Sequence, residues 1–359
     1  MTNVDKKLIV GSASKEDLGE VADLLSTPTS PRTKDYLLWK FEHTPPNQLS
    51  VVKDSSTLKV VGFNALIGWP IVIEENVIDA VQSVDLVVHA EYRNQGIMYD
   101  LCSYLYETAR NNGIAFGVGW TARYGPAWRV FVKKLGWSDI GLMKVLAYPI
   151  RPFRAVRYLK WGKLKSLVAG AFLWLRKLVK HPRSTVQEDL VLEKGKWDYE
   201  GLWRCWKDSL NPGVIAAKRN PEFYRRRFSK SIWTPHKFLP IAVRRNDKIV
   251  CYAICIAQPS DTGISGVIVD MHSLEGHEVA LKLLLNECIE HFEEEGASFV
   301  RSWAKKPEWI LKLMIDSGFV LQEGKQSFRV LAFSDDVAID SRIFEFSRWD
   351  LDLCDSDHV

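Results

Sequence analysis

The sequence predicts an α/β protein made of two domains, and three observations lead there. Its 359 residues are too many for one ordinary core and suit two of typical size. A composition of 47% hydrophobic and 26% charged residues is that of a soluble globular chain. The two halves, set one under the other, repeat one order of strand-like and helix-like runs.

Each repeat opens with an amphipathic helix ending in aromatic and basic residues, DYLLWKFEHTP at 35–45 and EFYRRRFSKS at 222–231. The runs SVVKDSSTLKVVGFNALIG and PIAVRRNDKIVCYAICIAQ read as hairpins, with polar turns at 54–56 and at Asn246-Asp247. An apolar strand, SVDLVV or GVIVDMH, then leads into a helix ending at Gly113 or Gly296, where a left-handed cap is expected. The short strands IAFGVGW and ASFVRSW follow. A helix and a glycine-aromatic pair close each unit, AWRVFVKKLGW and EWILKLMIDSGF. The spacings Asp85 to Gly113 and Asp270 to Gly296, and Gly113 to Gly136 and Gly296 to Gly318, agree to within two positions. Two copies of one fold are expected, over roughly residues 6–148 and 186–333, each a mixed sheet covered by helices.

The stretch EYRNQGIM at 91–98 carries the chemistry. A helix start has unpaired N–H donors and a partial positive charge, so it suits an anion. Arg93, Asn94 and Gln95 add side-chain donors, and Gly96 permits close approach of a phosphate to the backbone. Diphosphate is the natural guest.

Here the chain resembles the GNAT superfamily of acetyl-CoA-dependent acyltransferases. The family's loop reads Arg/Gln-x-x-Gly-x-Gly/Ala, which Arg93, Asn94, Gln95, Gly96, Ile97 and Met98 match except at the last place. The preceding strand LVVHAEYR, the helix, IAFGVGW and AWRVFVKKLGW fall in the family's order, over about 6–148 and more faintly over 186–333. The resemblance implies two GNAT-like domains with partly splayed sheets. It implies acetyl-CoA or another acyl-CoA as co-substrate, with Leu86, Val87 and Val88 pairing with the pantetheine arm and residues 93–98 holding the diphosphate. Met98 replaces the usual small residue, and its side chain is expected to lean away along the helix.

Acyl transfer to an amine needs a base for the ammonium proton and a donor for the leaving thiolate. The family's helical tyrosine, four residues before the glycine-aromatic pair, is Val132 here, so that acid is absent. Asp85 is the candidate base, a charge in an apolar run that needs a partner, or else a solvated or salt-bridged strand end. Tyr124 in the loop TARYGPAW is the candidate acid or a packing lid, and His89 is a proton relay or a solvated turn residue. No metal is expected: His272 and His277 lack a supporting ligand set and read as solvated. In the second copy HSLEGHEVA replaces AEYRNQGIM, offering carboxylates to a would-be diphosphate, so CoA is expected in the first copy alone.

The chain thus divides into a catalytic domain at 1–150, a basic bridge at 151–185, a degenerate domain at 186–335 and a tail at 336–359. Within 151–183 ten Lys/Arg stand with no acidic residue. This reads as a helix on an anionic membrane surface or as a linker packed on a domain. The apolar run inside it is too short to span a bilayer. The tail's alternation suggests a final strand, with Asp350, Asp352, Asp355 and Asp357 forming a solvated acidic end or facing a cation. Six cysteines without a CxxC pair, Cys251 and Cys255 among them, read as reduced buried thiols. No apolar run marks a signal peptide at the start, and a cytoplasmic location is expected. A net charge of +4 does not by itself indicate nucleic acid. The expected partner is a small amine, with an amino sugar of a surface polysaccharide precursor favoured by the 14 tryptophans. The competing readings are a FemX-like aminoacyl-tRNA-dependent transferase and a non-catalytic CoA-binding module.

Overall fold

The computed structural model describes residues 7–27, 31–42, 47–157, 170–171, 189–228, 237–260, 263–333 and 340–356. They form two compact units, one of Met1–Leu142, Ile215–Lys218 and Lys325–Trp349, the other of Met143–Val214, Arg219–Gly324 and Asp350–Val359. The chain runs through β1 (Leu8–Ser12), α1 (Leu18–Leu25), α2 (Lys34–Glu42), β2 (Gln48–Asp54), β3 (Val60–Gly68), β4 (Ile71–Ile73), β5 (Asn76–Ile78), β6 (Ala80–Val88), α3 (Ile97–Asn111), β7 (Phe116–Ala122), α4 (Pro126–Lys134) and β8 (Ser138–Tyr148). It continues through α5 (Pro152–Arg157), β9 (Leu190–Lys194), α6 (Tyr199–Ser209), β10 (Ile215–Ala217), α7 (Pro221–Phe228), β11 (Leu239–Arg245), β12 (Lys248–Ser260), β13 (Gly263–Ser273), α8 (Glu278–Glu294), β14 (Ala297–Trp303), α9 (Glu308–Asp316), β15 (Val320–Ala332) and β16 (Trp349–Asp350). With the short strands β4, β5 and β10 set aside, one order recurs from β1 to β8 and from β9 to β15: a strand, two helices, three strands, then helix, strand, helix, strand.

Pairing follows the same plan in each unit. In the first, β1, β2, β3 and β6 join in antiparallel ladders, β7 joins β6 in parallel, and Gln326 to Ala332 of β15 run antiparallel to β7. In the second, β9, β11, β12 and β13 are antiparallel, β14 joins β13 in parallel, and Val145 to Tyr148 of β8 run antiparallel to β14. Each sheet is therefore completed by the last strand of the other half of the sequence. The repeat in the sequence gives no sign of that exchange.

Local chemistry sets these elements. Asn246 and Asp247 both take positive φ, 49° and 62°, the turn that matches the twist of a two-residue hairpin. Gly113 and Gly296 end α3 and α8 at φ 72° and 76°, the left-handed cap expected of them. Helix α3 turns Ile97, Leu101, Cys102, Leu105, Tyr106 and Ala109 inward at helical spacing. It seats closely on β3 because residue 62 is glycine: a Cβ there would lie 2.9 Å from Ile97 Cγ2. Phe63, the next residue along β3, packs its ring 5.8 Å from that of Phe41 on α2. Alternation along the strand thus puts α2 and α3 on opposite faces.

In the second unit α8 buries Leu281, Leu284, Leu285, Cys288 and Phe292 in a core shared with Ile241, Cys251, Cys255 and Met314. All six cysteines are buried and free. Of the described tryptophans, Trp69, Trp120, Trp137, Trp206, Trp303 and Trp349 are buried, and the others are half-buried. The tail differs from the strand its alternation suggests. Its residues form short 3-10 turns at Ser341–Phe344, Phe346–Arg348 and Leu353–Asp355, and the extended part is only Trp349–Asp350. Most of the basic bridge, and Asp357, lie outside the described residues. No described helix is long and apolar enough to cross a membrane.

Phe292 fills the space over Gly266, where a Cβ would sit 2.5 Å from the ring. Phe292→Ala is expected to lower the unfolding free energy by about 3–5 kcal/mol, read from the urea midpoint, because the ring's neighbours cannot all collapse into the void.

Candidate active site

The first unit's site begins where a ladder stops. Strand β6 pairs with β7 only at Ala80, Val81 and Gln82, opposite Phe116, Gly117 and Val118. It then runs on to Val88 with β3 as its partner. Beyond Gln82 the edge of β6 that faced β7 has no strand beside it among the described residues. The β3–β6 register shifts there: Phe63 faces Val87 and Ala65 faces Val84, leaving Asp85 and Leu86 opposite the single residue Asn64. Asp85 takes φ 54°, so this is a bulge, which bends the strand and leaves one peptide unit out of the ladder. Leu86, Val87 and Val88 are half-buried.

The open edge leads straight into the loop. Asn94 and Gly96 take positive φ, 64° and 84°, and Gly96 is the N-cap of α3. Its Cβ position has nothing within 4 Å, so the approach to the backbone is clear. The Gly96 carbonyl accepts from Tyr99 and Asp100. Among the described residues the amides of Asn94, Gln95, Gly96, Ile97 and Met98 donate to no acceptor. Successive free amides around left-handed residues form an anion-binding nest at a helix start. Tyr92 anchors the loop by donating to Asp54 Oδ2 at 2.6 Å, and Arg93 Nε donates to the Val88 carbonyl at 3.2 Å. Arg93, Asn94, Gln95 and Gly96 are exposed, while Met98 leans back onto the core around Cys102 and Leu105.

Each candidate catalytic residue has its own partners. Asp85 is paired with Lys40 of α2 at 2.7 Å, with side chains 13% and 7% exposed, which supplies the partner a carboxylate in an apolar strand requires. Lys40 was not singled out in the sequence; a lysine inside the apolar run DYLLWKF was the available signal. Tyr124 is 66% exposed at φ 64°, with its ring edge-on to Trp128 and Arg123 over it. His89 Nδ1 accepts from the Glu91 amide at 3.4 Å, capping the short turn that leads into the loop.

No protein-family model and no curated protein matches this sequence. Solved structures do. A conserved protein from Enterococcus faecalis V583 described as a probable N-acyltransferase superposes with a TM-score of 0.64 at 11% identity, over 91% of this chain and 72% of that one. A GCN5-related N-acetyltransferase from Anabaena variabilis gives 0.63 at 13% identity, over 91% and 73%. N-myristoyltransferase from Saccharomyces cerevisiae, solved with myristoyl-CoA, gives 0.60 at 13% identity, over 92% and 84%. The fold is that of the GNAT N-acyltransferases.

The second unit has a strand that outruns its parallel partner in the same way, and its edge is filled. Strand β13 pairs with β14 only as far as Val267 opposite Arg301, yet runs on to Ser273. Asp270, His272 and the tail's Asp352 bring one ligand atom each within 4.8 Å of one another. Two cations already sit among them. Arg219 Nη1 donates to Asp270 at 2.6 Å and its Nη2 spans both Asp355 oxygens at 3.0 and 3.1 Å, while Lys306 pairs with Asp352 and donates to the Met271 carbonyl at 2.7 Å. His272 Nε2 lies 3.0 Å from Asp352 Oδ2. The expected solvated His272 and solvated tail aspartates are therefore corrected: His272, Asp352 and Asp355 are buried in one ion-pair network. Sequence spacing cannot bring residues 219, 270 and 352 together.

Electrostatics follow from that packing. Burial works against a charged His272 and Lys306 repels it, yet Asp270 and Asp352 hold its pKa above the ordinary histidine value. Burial, with Asp352 and Asp270 close by, pushes Asp355 up to about 6 in spite of Arg219. Asp270 is also penalised by burial, but Arg219, His272 and Lys306 hold it well below the usual carboxylate range.

Two outcomes are expected. Lys40→Met leaves Asp85 unpartnered and costs about 3 kcal/mol of unfolding free energy, whereas Lys40→Met/Asp85→Asn, with an asparagine that tolerates positive φ, recovers most of it. A histidine with a raised folded pKa stabilises fully below its unfolded value and less as pH rises through the folded one. Stability should therefore fall in urea titrations as pH rises from the ordinary histidine range, about 6.5, through the higher folded value, and His272→Asn should flatten that fall.

Proposed function

We propose that this chain is an acyl-CoA-dependent N-acyltransferase, a tandem of two GNAT-like units whose chemistry lies in the first. The observation that most favours it is the open edge of β6, which ends at a nest of free amides in one unit while the matching edge of the other is filled. A diphosphate suits residues 93–98. A pantetheine arm, with its own amide donors and acceptors, suits the backbone edge at Leu86, Val87 and Val88.

In that pose the bulge at Asp85 and Leu86 puts an unladdered peptide unit at the thioester. The amine attacks the thioester carbonyl from the α2 side, the C–N bond forms, the C–S bond breaks, and the ammonium proton passes to Asp85. Lys40, paired with Asp85 at 2.7 Å, holds the carboxylate in place for that task. Tyr124 lies on an exposed loop and closes over the acceptor, a primary amine for which an amino sugar is the first class to try. Acetyl-CoA is the first donor to try; the likeness to N-myristoyltransferase makes longer acyl chains the second.

Val132 in place of the helical tyrosine favours a second reading, a non-catalytic CoA-binding module. Thiol release in the presence of a panel of amines separates the two.

Acetyl-CoA at a hundred times its Kd is expected to stabilise the protein by about 2.7 kcal/mol in thermal unfolding. Gly96→Val keeps the fold at a strained φ but fills the clear approach to the amides, so CoA affinity should drop at least about tenfold, a loss of ~1.4 kcal/mol. Absence of any acyl-CoA stabilisation in the native protein defeats the reading.

A further inference from the structure

The first unit buries a cation that makes no ion pair among the described residues. Arg329 of β15 is 1% exposed, and its Nε and Nη1 have no hydrogen-bond partner. It stands opposite Gly119 of β7, the residue after Val118, where the β6–β7 ladder has just ended. A Cβ on Gly119 would come within 3.2 Å of Arg329 Nη2, so glycine makes the room for the guanidinium. The group lies on the α3–α4 side, 4.0 Å from the centre of the Phe131 ring and 5.0 Å from that of Trp137.

Among the described residues, the groups that act on its charge are a thiol, a phenol and one carboxylate paired elsewhere at one of its two oxygens. Burial pushes the Cys102 thiol up to about 12 and holds the Tyr106 phenol well above its ordinary value. Asp139, the nearest carboxylate influence, gives its Oδ2 to Arg123 and Trp128, each at 2.9 Å. Burial lowers Arg329 itself to about 10, which leaves it charged at neutral pH. Aromatic faces offset part of the cost of such a charge, but a buried guanidinium with free N–H donors calls for an anion.

The site is tied to the bulge. Asn64, the residue opposite Asp85 and Leu86, donates to Cys102 Sγ at 3.3 Å, and Cys102 is among the groups that feel Arg329. In the proposed pose the arm follows β6 from Val88 toward Ser83, where the β6–β7 ladder ends and Gly119, the next residue of β7, faces Arg329. At that end the reaction creates negative charge on sulfur.

We propose that Arg329 is the residue that stabilises the CoA thiolate leaving group, in the position chemistry requires and Val132 cannot fill. This rests on the acyl-CoA reading above. As the C–S bond breaks, its electron pair goes to sulfur and the thiolate forms an ion pair with the guanidinium. Arginine transfers no proton; the thiolate takes one from water after release, while the amine's proton goes to Asp85. Charge-assisted pairing in a site with little water is worth far more than the same contact in solvent.

The native protein tests this without a known acceptor. CoA and S-methyl-CoA are titrated by calorimetry at about pH 6.5 and about pH 9, because a free thiol ionises near 8.5 and a cation beside it shifts that down. CoA affinity should rise about tenfold relative to S-methyl-CoA over that range, and the rise should vanish in Arg329→Met but persist in part in Arg329→Lys. Parallel curves for the two ligands in the native protein overturn the role of Arg329 alone. Binding of neither ligand overturns the acyl-CoA reading and this one with it.

Discussion

A parallel ladder that ends after three residues, while one strand continues for six more, is the constraint on which the site depends. Backbone N–H and C=O groups need partners, and an edge left half-buried without them is costly unless something pairs with it. The bulge opposite Asn64 bends β6 out of the ladder, and Gly62 lets α3 seat where the strand departs. The loop with its free amides follows because α3 must begin where β6 delivers the chain. Open edge, nest and bulge are one consequence of a strand leaving its neighbour.

The second unit meets the same constraint and answers it with its own residues. Its strand β13 leaves β14 after Val267, but Lys306 donates to the Met271 carbonyl and the tail's Asp352 and Asp355 close over Arg219. Residues along β13 from Val267 to Ser273 are buried, whereas Leu86, Val87 and Val88 at the end of β6 are half-buried. A buried ion-pair network is weak evidence for net stability, since desolvation opposes its Coulomb energy. Its clearer effect is occupancy: five charged side chains and a histidine fill the space beside the end of β13. The two units thus share a plan and differ in what fills the gap.

Much of this was legible in the sequence because it was local. Periodicity, the left-handed glycines at 113 and 296, the Asn246-Asp247 turn and the loop at 93–98 depend on neighbours a few residues away, and each adopts the expected conformation. What was not legible depends on distant partners. Nothing near Asp85 in the chain announces Lys40, and nothing near Asp270 announces Arg219 or the tail. The exchange of β8 and β15 is a choice between two equivalent sheet edges, which a repeat leaves undetermined. The tail misled because Ile343 or Phe344 through Leu351 and Leu353 read as alternating like a strand, while Asp352 and Asp355 form a capping box that winds the backbone into a turn.

Arg329 shows how far the physical reading reaches beyond the local one. In the run SFRVLAF it is a lone cation in an apolar strand, the same kind of signal that marked Asp85 in SVDLVV. The two charges answer each other across the sheet: Asp85 turns toward α2, where Lys40 meets it, and Arg329 turns toward α4, where aromatic rings meet it and no anion does. A group-transfer site needs that asymmetry. In the proposed reaction the side that receives a proton holds a carboxylate, which one cation close by orients. The side that receives an electron pair must hold a positive charge unspent until the bond breaks, and a carboxylate partner there would cancel it. Cation–π contacts with Phe131 and Trp137 keep the guanidinium in place without neutralising it.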